Sequence, residues 1–150
     1  MPLAPETYLF SDSVIPAATI NAYLATDYKV NAAEPFVLNV GRASPELARW
    51  FKLNRTDSAA FITAWNPMGE PASDAVNHAA EQKLLARIKD LGLPCLDGEG
   101  RDPSGLWPGE SSLLVGGISL ETAKKLARQF RQNGFVYADG DATPRLILLR

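Results

Sequence analysis

The chain has 150 residues, 46% of them hydrophobic and 21% charged, with a formal net charge of −2. That fits a single domain over residues 1–150 whose core needs no metal or disulfide staple, and it excludes the disordered and fibrous classes. The mild negative charge and the lack of a basic run argue against a nucleic-acid partner. The single cysteine, Cys95, can form no internal disulfide, so a reducing, cytoplasmic setting is expected. The first residues, MPLAPETYLF, show neither the basic nor the apolar part of a signal peptide. The longest apolar stretch, near Leu113 to Leu120, falls far short of the ~20 residues that span a bilayer, so no membrane is expected.

In chain order, Pro16 and the segment after it suggest a short helix before Val30. Phe36 to Val40 reads as a strand closed by Gly41. A helix then opens with Ser44 as N-cap, Pro45 at its first position and Glu46 beside the dipole, burying Leu47, Trp50 and Phe51. Ala59 to Trp65 is β-branched and aromatic, a second strand that Asn66-Pro67 stops. Ser73 caps the next helix, with Val76, Ala80, Leu84, Ile88 and Leu91 as its apolar stripe and Gly92 as its end. Pro94 to Leu96 starts a short strand and leads into DGEGRDPSGLWPGE, the longest irregular stretch. Ser111 to Gly116 is a strand. Ser119 caps a helix with Leu120, Ala123, Leu126, Ala127 and Phe130 inward, ending at Gly134. Phe135 to Ala138 and Arg145 to Leu149 are the last strands, joined through Asp139-Gly140-Asp141.

From Ala59 the order is strand, helix, strand, strand, helix, strand, strand. That order predicts an α+β fold: a mixed sheet with a split βαβ, ferredoxin-like arrangement plus an N-terminal strand–helix, and helices mainly on one face. The alternative is a doubly wound sheet with helices on both faces.

Three blocks carry a resemblance. They are FITAWNPMGEPASDAVNHAAE from Phe61 to Glu81, GEGRDPSGLWPGESSLLVGGIS, and QNGFVYADGDATPRLILL. Together they resemble an uncharacterised family of small bacterial proteins, a domain of unknown function marked by ITAWNP, DPSGxWP and QNxxVY. The family pattern includes an Asn at the start of the following helix, here Asn77. The likeness runs from about Tyr28 to the end and departs from the pattern at Arg131 and Gly134. It implies a soluble bacterial protein and no particular activity.

Several residues invite a chemical reading, each with a plainer one beside it. Thr63, Trp65 and Asn66 end a strand, where α/β sheets often bind ligands. The plainer account is packing by Trp65 and a turn at Asn66-Pro67. Asn77 and Glu81 share a face near a helix start, where Asn77 and free N–H groups could meet an anion. Otherwise they form a solvated helix face. His78, the single histidine, has no cysteine or histidine companion for zinc and makes a weak catalytic candidate. Asp97, Glu99, Asp102 and Glu110 supply hard oxygen ligands suited to Mg²⁺ or Ca²⁺, but their spacing fails the EF-hand pattern, and no metal or other cofactor is assigned. Glu110 stands beside Trp107 and Pro108, whose apolar wall would raise its pKa and fit it for acid–base work. An acidic surface loop is the plainer account. Gln132 could reach across to fix a ligand, while Asn133-Gly134 reads as a helix C-cap. Cys95 reads as a small buried hydrophobe.

Two functions follow. One is a binding or interaction domain for a small polar or anionic ligand or a protein, using Thr63, Trp65, Asn66, Asn77, Trp107 and Gln132. The other is a small enzyme using Glu110 or Asp102 on a nucleotide or other phosphorylated substrate. The sharpest structural expectation is that Asn66, Asn77 and Glu110 line one pocket. Their elements meet at one rim if the two strands run antiparallel.

Overall fold

The computed structural model describes residues 12–150, so the segment read as lacking a signal peptide lies outside the described residues. The described residues form α1 (Ala17–Ala25), β1 (Asp27–Val30), β2 (Phe36–Leu38), α2 (Pro45–Asn54), β3 (Ala59–Ile62), α3 (Asp74–Asp90), β4 (Cys95–Arg101), β5 (Glu110–Gly116), α4 (Leu120–Gln129), β6 (Gly134–Ala138) and β7 (Arg145–Leu148). The capped helix starts stand where the sequence puts them. Ser44 Oγ accepts from the Leu47 N–H at 3.0 Å, Ser73 Oγ from Val76 at 3.2 Å and Ser119 Oγ from Thr122 at 3.1 Å. Among the described residues no helix is long and apolar enough to cross a membrane.

The seven strands form one sheet in the order β2-β1-β4-β5-β3-β6-β7. Every pairing is antiparallel, and the sheet curls into a half-barrel. The expected mixed, ferredoxin-like sheet is therefore corrected. The split crossover itself does form, because β5 lies between β3 and β4 and runs against both. What the sequence reading lacked was β1, whose alternating Asp-Tyr-Lys-Val joins β2 to the free edge of β4.

The expectation of helices mainly on one face is also corrected. Ala60, Ile62, Leu113, Val115 and Phe135 face α3 and α4, packing on Leu84, Ile88, Ala123, Leu126 and Ala127. The alternate residues Ala59, Phe61, Leu114 and Val136 face the other way, where Leu47 and Phe51 of α2 cover them. On that same face Ile20 of α1 packs on Leu146. Central strands that read as continuous apolar runs are covered on both sides, and AAFI and LLV are such runs.

Three local expectations change. Val76 is exposed and Asn77 buried, so the first turn of α3 presents a different face from the one its apolar stripe predicts. The strand at Ala59 stops at Ile62 instead of reaching Trp65. There Thr63 Oγ1 accepts the Trp65 N–H at 3.0 Å and donates to the Ser111 carbonyl at 2.8 Å, turning the chain out of the ladder. The DGEGR stretch is strand β4, not loop. Its glycines serve close approach: a Cβ on Gly98 would lie 2.6 Å from the Lys29 carbonyl oxygen and 2.7 Å from Cε2 of Phe61.

Candidate functional site

Among the described residues, nothing fills the face of the sheet under α1. α1 turns Ala22, half-buried, and Ala18, one helical turn away, toward the strands, and such short side chains leave a gap. The gap is a cavity of about 470 Å³, within the range of small-molecule sites. Its walls are mostly apolar, with Tyr23, Tyr28, Phe61, Trp107 and Leu146 among the large residues that line it. Tyr28 and Phe61 meet edge to face, with centroids 5.3 Å apart. Trp107 and Pro108 reach the cavity from the loop between β4 and β5, as the loop's length allows. The tip of that loop is solvated: Leu106 is 86% exposed.

One charged residue lines the cavity among the described residues, Glu110. It begins β5, opposite Gly100 of β4, and period-two alternation turns its side chain to the same face as Ser112 and Leu114. Burial raises its carboxyl pKa, and a hydrogen bond from Asn66 partly opposes that rise. Asn66 Nδ2 donates to Glu110 Oε2 at 2.7 Å.

The orientation of that amide is forced. Asn66 Oδ1 accepts from Asn77 Nδ2 at 3.0 Å and from the Ala72 N–H at 3.0 Å, so only Nδ2 can face the carboxylate. Asn77 also accepts the Asn66 N–H at 2.9 Å and donates to the Ala72 carbonyl at 3.3 Å. The two asparagines thus exchange hydrogen bonds beneath the cavity wall. Asn66 adopts the left-handed backbone, φ 49°, and Met68 does so two residues later, φ 58°. Asparagine tolerates that region better than most residues, and the Met68 N–H is tied down by the Arg131 carbonyl at 2.8 Å.

The end of α4 adds the rest. Gln132 is buried, and its Nε2 donates to the Trp65 carbonyl at 3.1 Å and to Phe130 at 3.3 Å. Asn133 Oδ1 accepts from Arg150 Nε at 2.8 Å, and its Nδ2 donates to the Tyr23 hydroxyl at 3.0 Å. Burial raises the pKa of Tyr23 and keeps it neutral, with its proton available as a donor.

Of the predicted site residues, Thr63, Trp65, Asn66, Trp107, Glu110 and Gln132 share this cavity. Asn77 does not line it, contrary to expectation. It is 2% exposed, spends its amide on Asn66 and Ala72, and offers nothing to an anion at the start of α3. His78 is exposed and stacks edge-on against Trp65 at 5.3 Å, outside the cavity. Asp102 holds its own loop: Oδ1 accepts from the Ser104 hydroxyl and N–H at 2.7 and 2.9 Å, and Oδ2 from the Leu106 N–H at 2.8 Å. The Ser104 hydroxyl foremost keeps its carboxyl below the usual range.

The acidic cluster read from the loop does not assemble. Asp97 and Glu99 pair with Leu113 and Ser111, so they stand on the face opposite Glu110. Among the described residues no three potential metal ligands gather. Glu81, which shares a helix face with Asn77, accepts from Trp65 Nε1 at 3.1 Å and holds the indole from the far side.

The sequence reading missed Tyr23 and Tyr28 as site residues. The alternation in DYKV was the available signal for Tyr28, since it places that ring on the inner face of a strand. Asn133, read as a helix cap, lines the cavity as well.

No curated protein and no solved structure matches the chain. One family model does, described as "Protein of unknown function (DUF3293)", over residues 62–134. That span holds Thr63, Trp65, Asn66, Trp107, Glu110 and Gln132 of the cavity lining, and Asn77 behind it.

Proposed function

We propose that the chain is a binding domain for a small organic molecule, held in the cavity between α1 and the sheet. The observation that carries this reading is a half-buried carboxylate, Glu110, held by an amide network in an otherwise apolar space of about 470 Å³. A core assembled for stability alone would fill such a space, because voids cost free energy. The ITAWNP, DPSGLWP and QNGFVY blocks support a bacterial source, and the lone cysteine supports a reducing cytoplasm. The anionic ligand entertained from the sequence loses its support, since among the described residues no Lys or Arg side chain lines the cavity.

Titrating isotope-labelled protein with benzyl alcohol, a neutral probe, tests the reading. Saturable amide shifts are expected in α1, at Glu110–Ser112 and at Gln132–Val136. Shifts confined to the α3–α4 face, or no saturable response at millimolar probe, would refute it.

A second reading keeps Glu110 as a general acid or base. Its raised pKa in a cleft favours this, since catalytic carboxylates are tuned the same way. Asp102 drops out of that reading because its carboxylate is committed to its own loop. A phosphorylated substrate drops out too, since the described residues give the cavity no cationic wall.

A further inference from the structure

The polar atoms on the cavity lining are only partly spent on one another. Glu110 Oε2 is taken by Asn66, while Oε1 meets no donor among the described residues. Gln132 is in the same condition: Nε2 serves two carbonyls, and Oε1 accepts nothing among the described residues. Both amide orientations follow from the network, so both unsatisfied atoms are acceptors. Among the donors on the same lining, the Tyr23 hydroxyl accepts from Asn133 and keeps its own proton to give. Among the described residues the only formal charge on the lining is negative, and the aromatic residues Tyr28, Phe61 and Trp107 stand on the walls around it. Aromatic faces attract cations, and buried acceptors left unpaired are costly.

We propose that the ligand of this cavity is an organic cation bearing N–H donors on a compact apolar body, with Glu110 as its counter-charge and Gln132 as a second acceptor. A protonated primary amine is the simplest member of the class. Its ammonium offers three donors: one for Glu110 Oε1, one for Gln132 Oε1, and one left for the Tyr23 oxygen or water. An anion of the same shape would face Glu110 with no cation to offset it. This inference rests on reading the cavity as a small-molecule site, and the experiment separates the two.

Benzylamine, benzyl alcohol and benzoate share one ring and differ in the head group. Each is titrated at neutral pH into the full chain and into the Glu110→Gln variant, followed by amide chemical shifts. Charge-assisted hydrogen bonds predict that benzylamine binds the unmodified chain about tenfold tighter than benzyl alcohol, with benzoate weakest. In Glu110→Gln the amine preference should collapse while benzyl alcohol affinity stays within about threefold, because Gln keeps an acceptor for Asn66. Benzoate binding as well as benzylamine, or an amine preference that survives Glu110→Gln, overturns the cation assignment and leaves the cavity reading standing. Failure of all three probes to saturate overturns both.

Discussion

Asn77 sits where one substitution separates the hydrogen-bond network from simple packing. It is 2% exposed and makes three hydrogen bonds, to the Asn66 N–H, Asn66 Oδ1 and the Ala72 carbonyl. Asn77→Ala leaves the Asn66 N–H without an acceptor, at about 1–3 kcal/mol for a buried donor. Asn66 Oδ1 keeps the Ala72 N–H, and the bond to the Ala72 carbonyl is long, so those losses are smaller. Adding a small void gives an expected total of about 2–4 kcal/mol. Asn77→Asp is the sharper probe because its volume is nearly unchanged. It still accepts the Asn66 N–H, but its second oxygen faces Asn66 Oδ1, acceptor against acceptor. Flipping Asn66 would only turn that oxygen onto Glu110. The cost should therefore stay within about 1–3 kcal/mol of destabilisation at pH 7. The new carboxyl has a folded pKa above its unfolded value, so the penalty should shrink as pH falls through the raised value toward the ordinary one. Urea denaturation followed by tryptophan fluorescence, at pH 7 and near pH 4, measures both. An Asp variant as stable as the unmodified chain at pH 7, or a deficit that does not change with pH, would refute the network.

Glu110→Gln should stabilise the unliganded protein at pH 7. Burial raises the Glu110 pKa, so between the ordinary and the raised value the folded state holds a proton that the unfolded state has released, and stability falls as pH rises through that window. Thermal melts should show the advantage of Gln fading as pH drops below about 4, where Glu is protonated in both states. Gly98→Ala should cost about 1–3 kcal/mol, since its Cβ would meet backbone oxygen at 2.6 Å; hydrogen exchange should show β1 losing protection first. Leu126→Ala, in the core of α4, should cost about 2–5 kcal/mol by denaturant titration, and a loss well under 1 would mean that α4 presents another face.

The helices were legible because their signals are local. Caps at Ser44, Ser73 and Ser119, and periodic stripes through Leu84–Ile88 and Leu126, need only a few neighbouring residues. β4 was not legible, because Gly98 and Gly100 look like turn formers until the close approach of Phe61 and β1 is known. The buried start of α3 was hidden for the same reason. Nothing near Asn77 in sequence says that a left-handed turn at Asn66 will fold over it. The meeting of Asn66 with Glu110 could be anticipated, since antiparallel strands bring the end of β3 and the start of β5 to one rim.

The amides that stood out in the sequence turn out to divide the work. Asn66, Asn77, Gln132 and Asn133 carry no formal charge, so a low-dielectric space can hold four of them without a desolvated ion for each. Asn66 and Asn77 lock each other, Gln132 holds the Trp65 and Phe130 carbonyls, and Asn133 joins Arg150 to Tyr23, so the orientation of each amide is fixed. An ionic scaffold would have brought a compensating Lys or Arg beside Glu110 and cancelled its field. The neutral scaffold leaves Glu110 with a single donor and one oxygen that meets no donor among the described residues, on the wall of the cavity. Selectivity then lies in one carboxylate, which is why replacing it by its own amide should change what the cavity accepts more than whether the protein folds.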